Sequence, residues 1–343
     1  MDVRGLHRLA DVGNARGPHP STGVQQPRGS TAPPENTMKK IQSVLIYGYG
    51  VMGRGVAKTF AQAGFQTMVR SARAASITDL PDGVTAVATL PAKAPDLIIE
   101  LVPEIVATKQ QVFADVEAAY EGQDYLLGTG TSGLDLVELA KTLKHPEKFL
   151  GIHYFMPADT APVVEVMGGP ASSRESVDIT ADALRRSGKE TVVLYKPIIG
   201  FLVNRLQHAI LNEAYYLIEA GVADAAAIDH AARRLLAPRM VLNGLIQQKD
   251  VSGLKIHAEA QASIVPALFH TNVANPMLQA MAQRGETGLA AGKGFYDWAG
   301  CDTDAVRKQA SSQLSALLKF IDNDLPKSLP ATEPKPRDPR QPG

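Results

Sequence analysis

Residues 43–65 read "SVLIYGYGVMGRGVAKTFAQAGF", an apolar run followed by Gly48, Gly50 and Gly53 in the pattern G-x-G-x-x-G and then a helical stretch that ends at Gly64. Each glycine has its own task in such a unit. The first makes the tight turn out of the strand, the second lets backbone approach a pyrophosphate, and the third lets helix pack on strand, with phosphate charge facing the helix N-terminus. Three glycines alone also fit an ordinary tight turn. The order of strand, turn, helix and second strand, completed by "FQTMV" at 65–69, is the context that selects a dinucleotide site. Its candidate contacts are Gly48, Tyr49, Gly50, Val51, Met52 and Gly53.

Beyond this unit, apolar runs alternate with helical periods: "DLIIELV", "YLLGTG", "FLGIHYF", "VVEVM" and "TVVLY" are further strand candidates. That alternation predicts an α/β fold, a doubly wound parallel sheet of the Rossmann kind over residues 41–197. After Pro197 the strand signals stop, and "FLVNRLQHAILNEAYYLIEAG" places Leu202, Leu206, Ile210 and Leu217 at helical spacing. A smaller all-α domain, for substrate and dimerisation, is predicted over 198–322. Residues 1–40, rich in Gly, Pro, Ser, Arg and Gln, read as a disordered leader ahead of what looks like a fresh start at Met38, and 323–343 as a Pro-rich extended tail.

Composition narrows the function. Lys plus Arg and Asp plus Glu are 35 each among 343 residues, so the net charge is zero and nothing favours nucleic acid or an anionic membrane. No apolar run reaches the ~18 residues of a spanning helix. The single cysteine, Cys301, excludes a disulfide framework and a thiolate metal site, and suits a reducing, cytoplasmic setting. His208, His230, His257 and His270 stand apart without a second ligand at metal spacing, so no metal is expected.

Two places carry chemistry. An Asp or Glu about 20 residues past the glycines normally takes the ribose 2′-hydroxyl of NAD. Here Arg70, Ser71 and Arg73 occupy that region, and guanidinium with hydroxyl suits a 2′-phosphate, which favours NADP over NAD; two solvated loop arginines are the plainer alternative. In "GIHYFMPADTAPVVEV", residues 151–166, His153 and Glu165 lie at the ends of two neighbouring strands. A carboxylate on one imidazole nitrogen fixes the tautomer and leaves the other nitrogen to exchange a proton with a substrate hydroxyl, as hydride transfer to a nicotinamide requires. A core histidine satisfied by a carboxylate fits the same residues equally well.

Six motifs in order resemble the 3-hydroxyacyl-CoA dehydrogenase family. "IYGYGVMGRGVA" is similar to its "GAGxMGxGIA", "IIELVPEIVATKQQVF" to "EAVxExxxxKxxxF", and "GTGTSGL" to "SNTSSL". "GIHYFMPADTAPVVEV" resembles "GxHFFNPxxxMxLVEV", "IGFLVNRL" resembles "PGFxxNRL", and "GKGFYDW" resembles "GxGFYxY". The resemblance implies His153 as general acid/base, Glu165 as its orienting partner, and Ser132 and Asn204 as donors to the reacting oxygen. It also implies Val102, Pro103, Glu104 and Lys109 beside the nicotinamide half of the cofactor, and a homodimer formed through the helical domain. Ser132 and Asn204 are otherwise ordinary capping residues and Lys109 an ordinary helix lysine.

The departures are specific. The family has a helical hairpin that helps to hold CoA, but residues 71–96 are too short to contain one after a strand. Met156 stands at the Asn of "HFFNP", Ile199 at the Pro before "GF", and Ala290 at a lysine of the closing motif. The expected substrate is a small 3-hydroxy or 3-keto acid, free or as its CoA thioester, with NADP or NAD as cofactor. Two other readings compete: a reductase of the 6-phosphogluconate and 3-hydroxyisobutyrate type, which needs a lysine that "GFLVNRLQHA" lacks, and a non-catalytic dinucleotide sensor, which needs no proton relay.

Overall fold

The computed structural model describes residues 40–325 and 337–340; all but the last residue of the expected leader, and most of the expected tail, lie outside the described residues. Eight strands form one sheet in the order β3-β2-β1-β4-β5-β6-β7-β8. They are β1 (Ser43–Tyr47), β2 (Gln66–Arg70), β3 (Val84–Val87), β4 (Leu97–Glu100), β5 (Leu126–Thr129), β6 (Phe149–Tyr154), β7 (Val163–Gly168) and β8 (Glu190–Leu194). Between them run α1 (Val51–Gln62), α2 (Val106–Ala119), α3 (Leu136–Ala140) and α4 (Arg174–Arg186). The chain reverses its winding between β1 and β4, so the crevice for a ligand lies at their carboxyl ends.

Alternate residues of each strand feed opposite faces. Val44 and Ile46 join Val56, Phe60, Ile152 and Val166 on one side, whereas Leu45 and Tyr47 join Ile98, Phe113, Leu127 and Phe149 on the other. β4 is buried along its whole length, the mark of a central strand covered on both sides.

Two features depart from the sequence-based expectation. β3, "VTAV", is a four-residue edge strand with no buried residue, too short and too polar in context to register as an apolar run. β1 to β6 are mutually parallel, but β7 pairs antiparallel with β6, and β8 runs parallel to β7. Residues 155–162 are too few for a crossover, so the chain has to fold back on itself. α4 then supplies the longer crossover that keeps β8 parallel to β7.

After β8 the chain is helical, beginning with α5 (Val203–Glu219) and closing with a helix at Thr303–Asn323. Among the described residues beyond Phe201, only Asn275 and Met281 are buried, and Leu206, Ile210, Leu314, Leu317 and Phe320 remain exposed.

Candidate active site

The glycine turn is built as its spacing predicts. Gly48 has φ +112°, and a Cβ on it would lie 2.8 Å from the Leu101 carbonyl oxygen after β4. A Cβ on Gly53 would stand 2.1 Å from the Gly48 carbonyl oxygen, so α1 cannot approach β1 without a glycine there. Gly50 is different: a Cβ there would meet no protein atom within 4 Å, and the space it leaves opens into a cleft of about 920 Å³. Gly50 caps α1, whose first turn holds no acidic residue, so its amide-rich end is left to an anion. These residues fit a dinucleotide pyrophosphate.

Tyr49, Gly50, Val51 and Arg73 line this large cleft, together with Arg54 and Lys58. Arg54 is paired with Asp79 at 3.2 Å and Lys58 with Asp159 at 3.0 Å, whereas Arg73 forms no ion pair with a carboxylate among the described residues. Arg70 points elsewhere: its guanidinium lies 5.0 Å from the centre of the Tyr47 ring, and its Nε is buried without a partner. Ser71 Oγ accepts from the Arg73 amide at 3.2 Å and so shapes the turn after β2.

A second cleft of about 280 Å³ is lined by Met52, Val102, Glu104, Ser132, His153 and Met156 among others. β6 and β7 place His153 directly opposite Glu165 in register, so the two side chains share a face at cross-strand distance. His153 Nδ1 lies 2.7 Å from Glu165 Oε2, and both side chains are buried. The other oxygen of Glu165 accepts from the Leu202 and Val203 amides at 2.9 and 3.0 Å, the N-terminus of α5. Burial works against the charge on Glu165, but His153 and these two amides hold its carboxyl below the ordinary value.

Phe201 precedes α5 in the left-handed region at φ 52°, is fully buried, and sets its ring 5.1 Å from that of His153. A non-glycine residue at positive φ costs free energy that its surroundings must offset; here the ring seats against Gly151, where a Cβ would stand 2.8 Å from Phe201 Cζ. Phe155 flanks the imidazole at 4.5 Å. Asn204, in the first turn of α5, donates from Nδ2 to the Ser132 carbonyl oxygen at 3.1 Å, joining the two predicted donor residues.

Beneath Ser132 lies a chain of charges. Glu104 Oε1 accepts from Thr131 Oγ1 at 2.5 Å and from the Ser132 amide at 3.0 Å, while its Oε2 sits 3.3 Å from Lys109 Nζ. Lys109 is not a solvated helix lysine: its side chain is wholly buried, and it donates to both oxygens of Glu100 at 2.9 and 3.1 Å. Glu100 also accepts from Thr129 Oγ1 and from the Val102 amide, each at 2.6 Å. Burial raises the Glu100 carboxyl above its ordinary value despite these donors. Burial also opposes the charge on Glu104, but Thr131, the Ser132 amide and Lys109 together lower its pKa. Pro103 adjoins this group and lines neither cleft.

Sequence reasoning overlooked Glu100 and Phe201. The signal for Glu100 was present, a carboxylate inside the apolar run "DLIIELV", because acids are almost never buried unless paired.

A strand order that reverses at a glycine turn fitted to pyrophosphate, with titratable side chains gathered beside it, is the arrangement of a dinucleotide-binding enzyme. The family model "3-hydroxyacyl-CoA dehydrogenase, NAD binding domain" matches residues 83–197, and the model of that family's C-terminal domain matches residues 200–298. The chain therefore belongs to the 3-hydroxyacyl-CoA dehydrogenase family, and it is an oxidoreductase of that family carrying its NAD-binding domain.

Among similar proteins, 5-formyl-3-hydroxy-2-methylpyridine 4-carboxylate 5-dehydrogenase of Mesorhizobium japonicum is 25% identical over 306 residues, covering 82% of this chain and 99% of that one. The 3-hydroxyadipyl-CoA dehydrogenase of Escherichia coli is 29% identical over 289 residues, covering 76% of this chain; the alignment spans only 60% of that protein. Among solved structures, a 5-formyl-3-hydroxy-2-methylpyridine 4-carboxylic acid 5-dehydrogenase, described as an NAD+ dependent dismutase, superposes with a TM-score of 0.74 at 25% identity. It covers 82% of this chain and 99% of its own. A 3-hydroxyacyl-CoA dehydrogenase from Archaeoglobus fulgidus superposes with a TM-score of 0.61 at 28% identity, with the same coverage.

Proposed function

We propose that the protein interconverts a 3-hydroxyl and a 3-keto group in a small free acid, with His153 as general acid/base. The observation that carries this reading is the 2.7 Å contact between His153 Nδ1 and Glu165 in the wall of the cleft that also holds Ser132. With Nδ1–H donated to the carboxylate, Nε2 is the basic nitrogen and takes the substrate's hydroxyl proton, and Glu165 stabilises the imidazolium. A bound nicotinamide supplies the hydride acceptor. Ser132 and Asn204 hold the oxygen on which charge develops.

The free acid is favoured over a CoA thioester for two reasons. Residues 71–83 between β2 and β3 contain only a three-residue helical turn, Ala74–Ser76, in place of a helical hairpin. The Mesorhizobium relative, which this chain spans almost completely, is named for a free pyridine carboxylate. The test is a panel of 3-keto acids, free and as CoA thioesters, assayed with both reduced cofactors. Faster reduction of the free acids, abolished in His153→Ala, is expected; a His153→Ala enzyme as fast as wild type overturns the relay.

Arg73 with Ser71, and no carboxylate at the end of β2, favours NADP over NAD; tighter binding of NADH than NADPH in a fluorescence titration overturns that preference. The exposed Leu206 and Ile210 of α5 fit burial against a second copy of the chain, and a monomer in sedimentation at micromolar concentration would sink the homodimer.

A further inference from the structure

The geometry points to Glu100 as a positioning residue for the reaction, acting through Lys109 and Glu104 on the turn that carries Ser132. This rests on the reading of Ser132 and Asn204 as donors to the reacting oxygen.

Glu100 ends β4, its side chain wholly buried, and touches neither cleft. A buried ion pair is by itself weak support for a fold, since apolar side chains of the same volume often serve as well. What marks this one is its continuation. Lys109 is held by both oxygens of Glu100 and reaches a third carboxylate oxygen, Glu104 Oε2, at 3.3 Å. Glu104 is 40% exposed, in the wall of the cleft that holds His153. Its other oxygen gathers the Thr131 hydroxyl and the Ser132 and Gly133 amides, the last at 3.4 Å. The Ser132 carbonyl in turn receives Asn204. One unbroken series of polar contacts therefore runs from the interior of the sheet to both proposed donors.

The direction of the series matters. Lys109 has three ammonium protons; two contacts go to Glu100, and the remaining reach is toward Glu104 and the Val102 carbonyl at 3.5 Å. The Thr129 hydroxyl on the neighbouring strand β5 and the Val102 amide just past β4 fix Glu100 in place. Lys109 is thereby held at one point, and Glu104 cannot follow a moving ammonium. Without Glu100, Lys109 collapses onto Glu104, and the 131–133 turn moves with it.

The test uses the full chain with Glu100→Gln, which keeps shape and removes charge, and Thr129→Val, which loosens Glu100 without touching Lys109 or Glu104. The substrate is the 3-keto acid on which wild type is fastest in the panel above. Glu100→Gln is expected to lower kcat about tenfold or more, as removal of an outer support for reacting groups does, and Thr129→Val is expected to lower it by less. Affinity for the reduced cofactor, read by fluorescence, falls by less than kcat does, because the glycine turn that holds the pyrophosphate is untouched while Glu104 moves. The isotope effect on kcat with 4-deuterated reduced cofactor rises toward its intrinsic value. A merely structural loss would reduce the amount of active enzyme and leave the isotope effect at the wild-type value.

Wild-type kcat and isotope effect in Glu100→Gln overturn the positioning role, as do a lowered kcat with an unchanged isotope effect in both variants. Should Glu100→Gln fail to fold, Thr129→Val decides by the same readouts. Ser132→Ala separates the two levels: wild-type rates there overturn the donor reading, and with it the route from Glu100. A slow Ser132→Ala beside an unaffected Glu100→Gln overturns the positioning role alone.

Discussion

Glu100 and Glu165 are both closed to solvent and both supplied with hydrogen bonds, yet their acidities move in opposite directions, Glu100 lying deeper in the protein and carrying the larger desolvation. Both stand on strands of one sheet, and each accepts backbone amides together with a titratable side chain. At Glu100 one amide, one hydroxyl and the Lys109 ammonium do not outweigh desolvation. At Glu165 two successive amides from the first turn of α5 and the His153 ring do. Depth accounts for part of the difference, and the helix end adds to it: aligned amides favour an anion without bringing in a second charge that must itself be desolvated.

The largest effect that sharpens this contrast is on rate. Glu165→Gln retains an oxygen for the α5 amides but turns an N–H toward His153 Nδ1, forcing the proton to Nε2 and removing the base. A fall in kcat on the order of 10²- to 10⁴-fold is expected, with only a modest drop in the urea midpoint at neutral pH. A large loss of stability with modest loss of rate would make Glu165 chiefly a cap.

Next comes stability at the other carboxylate. Lys109→Met leaves Glu100 buried without its cation and should cost roughly 3–5 kcal/mol in chemical denaturation, most of it recovered in Glu100→Leu/Lys109→Met. If the double variant is no more stable than the single, the pair is not a self-contained charge balance. Gly151→Ala puts a methyl 2.8 Å from both Phe201 Cζ and Leu136 Cδ1. It should cost roughly 1–3 kcal/mol and slow turnover as Phe201 shifts under His153.

The smallest effect is on pH dependence. Glu165, lowered from 4.5, contributes stability that is present above that value and lost as pH falls through its folded pKa. Glu100, raised from 4.5, does the reverse: the folded state binds its proton more readily, so acidification through its raised pKa favours folding. Urea midpoints at about pH 7 and about pH 3.5 should therefore draw together in Glu165→Gln and apart in Glu100→Gln, relative to wild type. Parallel curves in the two variants would erase the distinction.

Much of this was legible in the chain. Seven of the strands follow apolar runs, because a central strand must be apolar on both faces. The glycine turn was readable because each position carries a separate steric demand. β3 was not, since an edge strand with no buried residue leaves no apolar signature. His153 and Glu165 were visible as a pair, but their antiparallel register depends on how short residues 155–162 are, and helix α5 closing on Glu165 depends on a contact 37 residues away. The pairing of Lys109 with Glu100 hid for a related reason. Spacing shows which residues share a helix or strand face, whereas a buried charge network joins residues from several elements. Arg70 shows the converse: its position near the end of β2 suggested a ligand, but the ring of Tyr47 on the adjacent strand engages it.

The antiparallel ladder between β6 and β7 separates two kinds of tolerance to insertion. Added residues in the 155–162 connection lengthen a loop and leave the His153↔Glu165 pairing where it is. One added residue inside β6, between Leu150 and His153, turns the imidazole to the opposite face of the sheet, among Val56, Phe60 and Val166. Descendants of this chain can thus acquire new residues at the rim of the cleft, where Met156 already lies exposed, without disturbing the His153–Glu165 pair. That leaves the substrate edge free to diverge on a strand pairing that cannot.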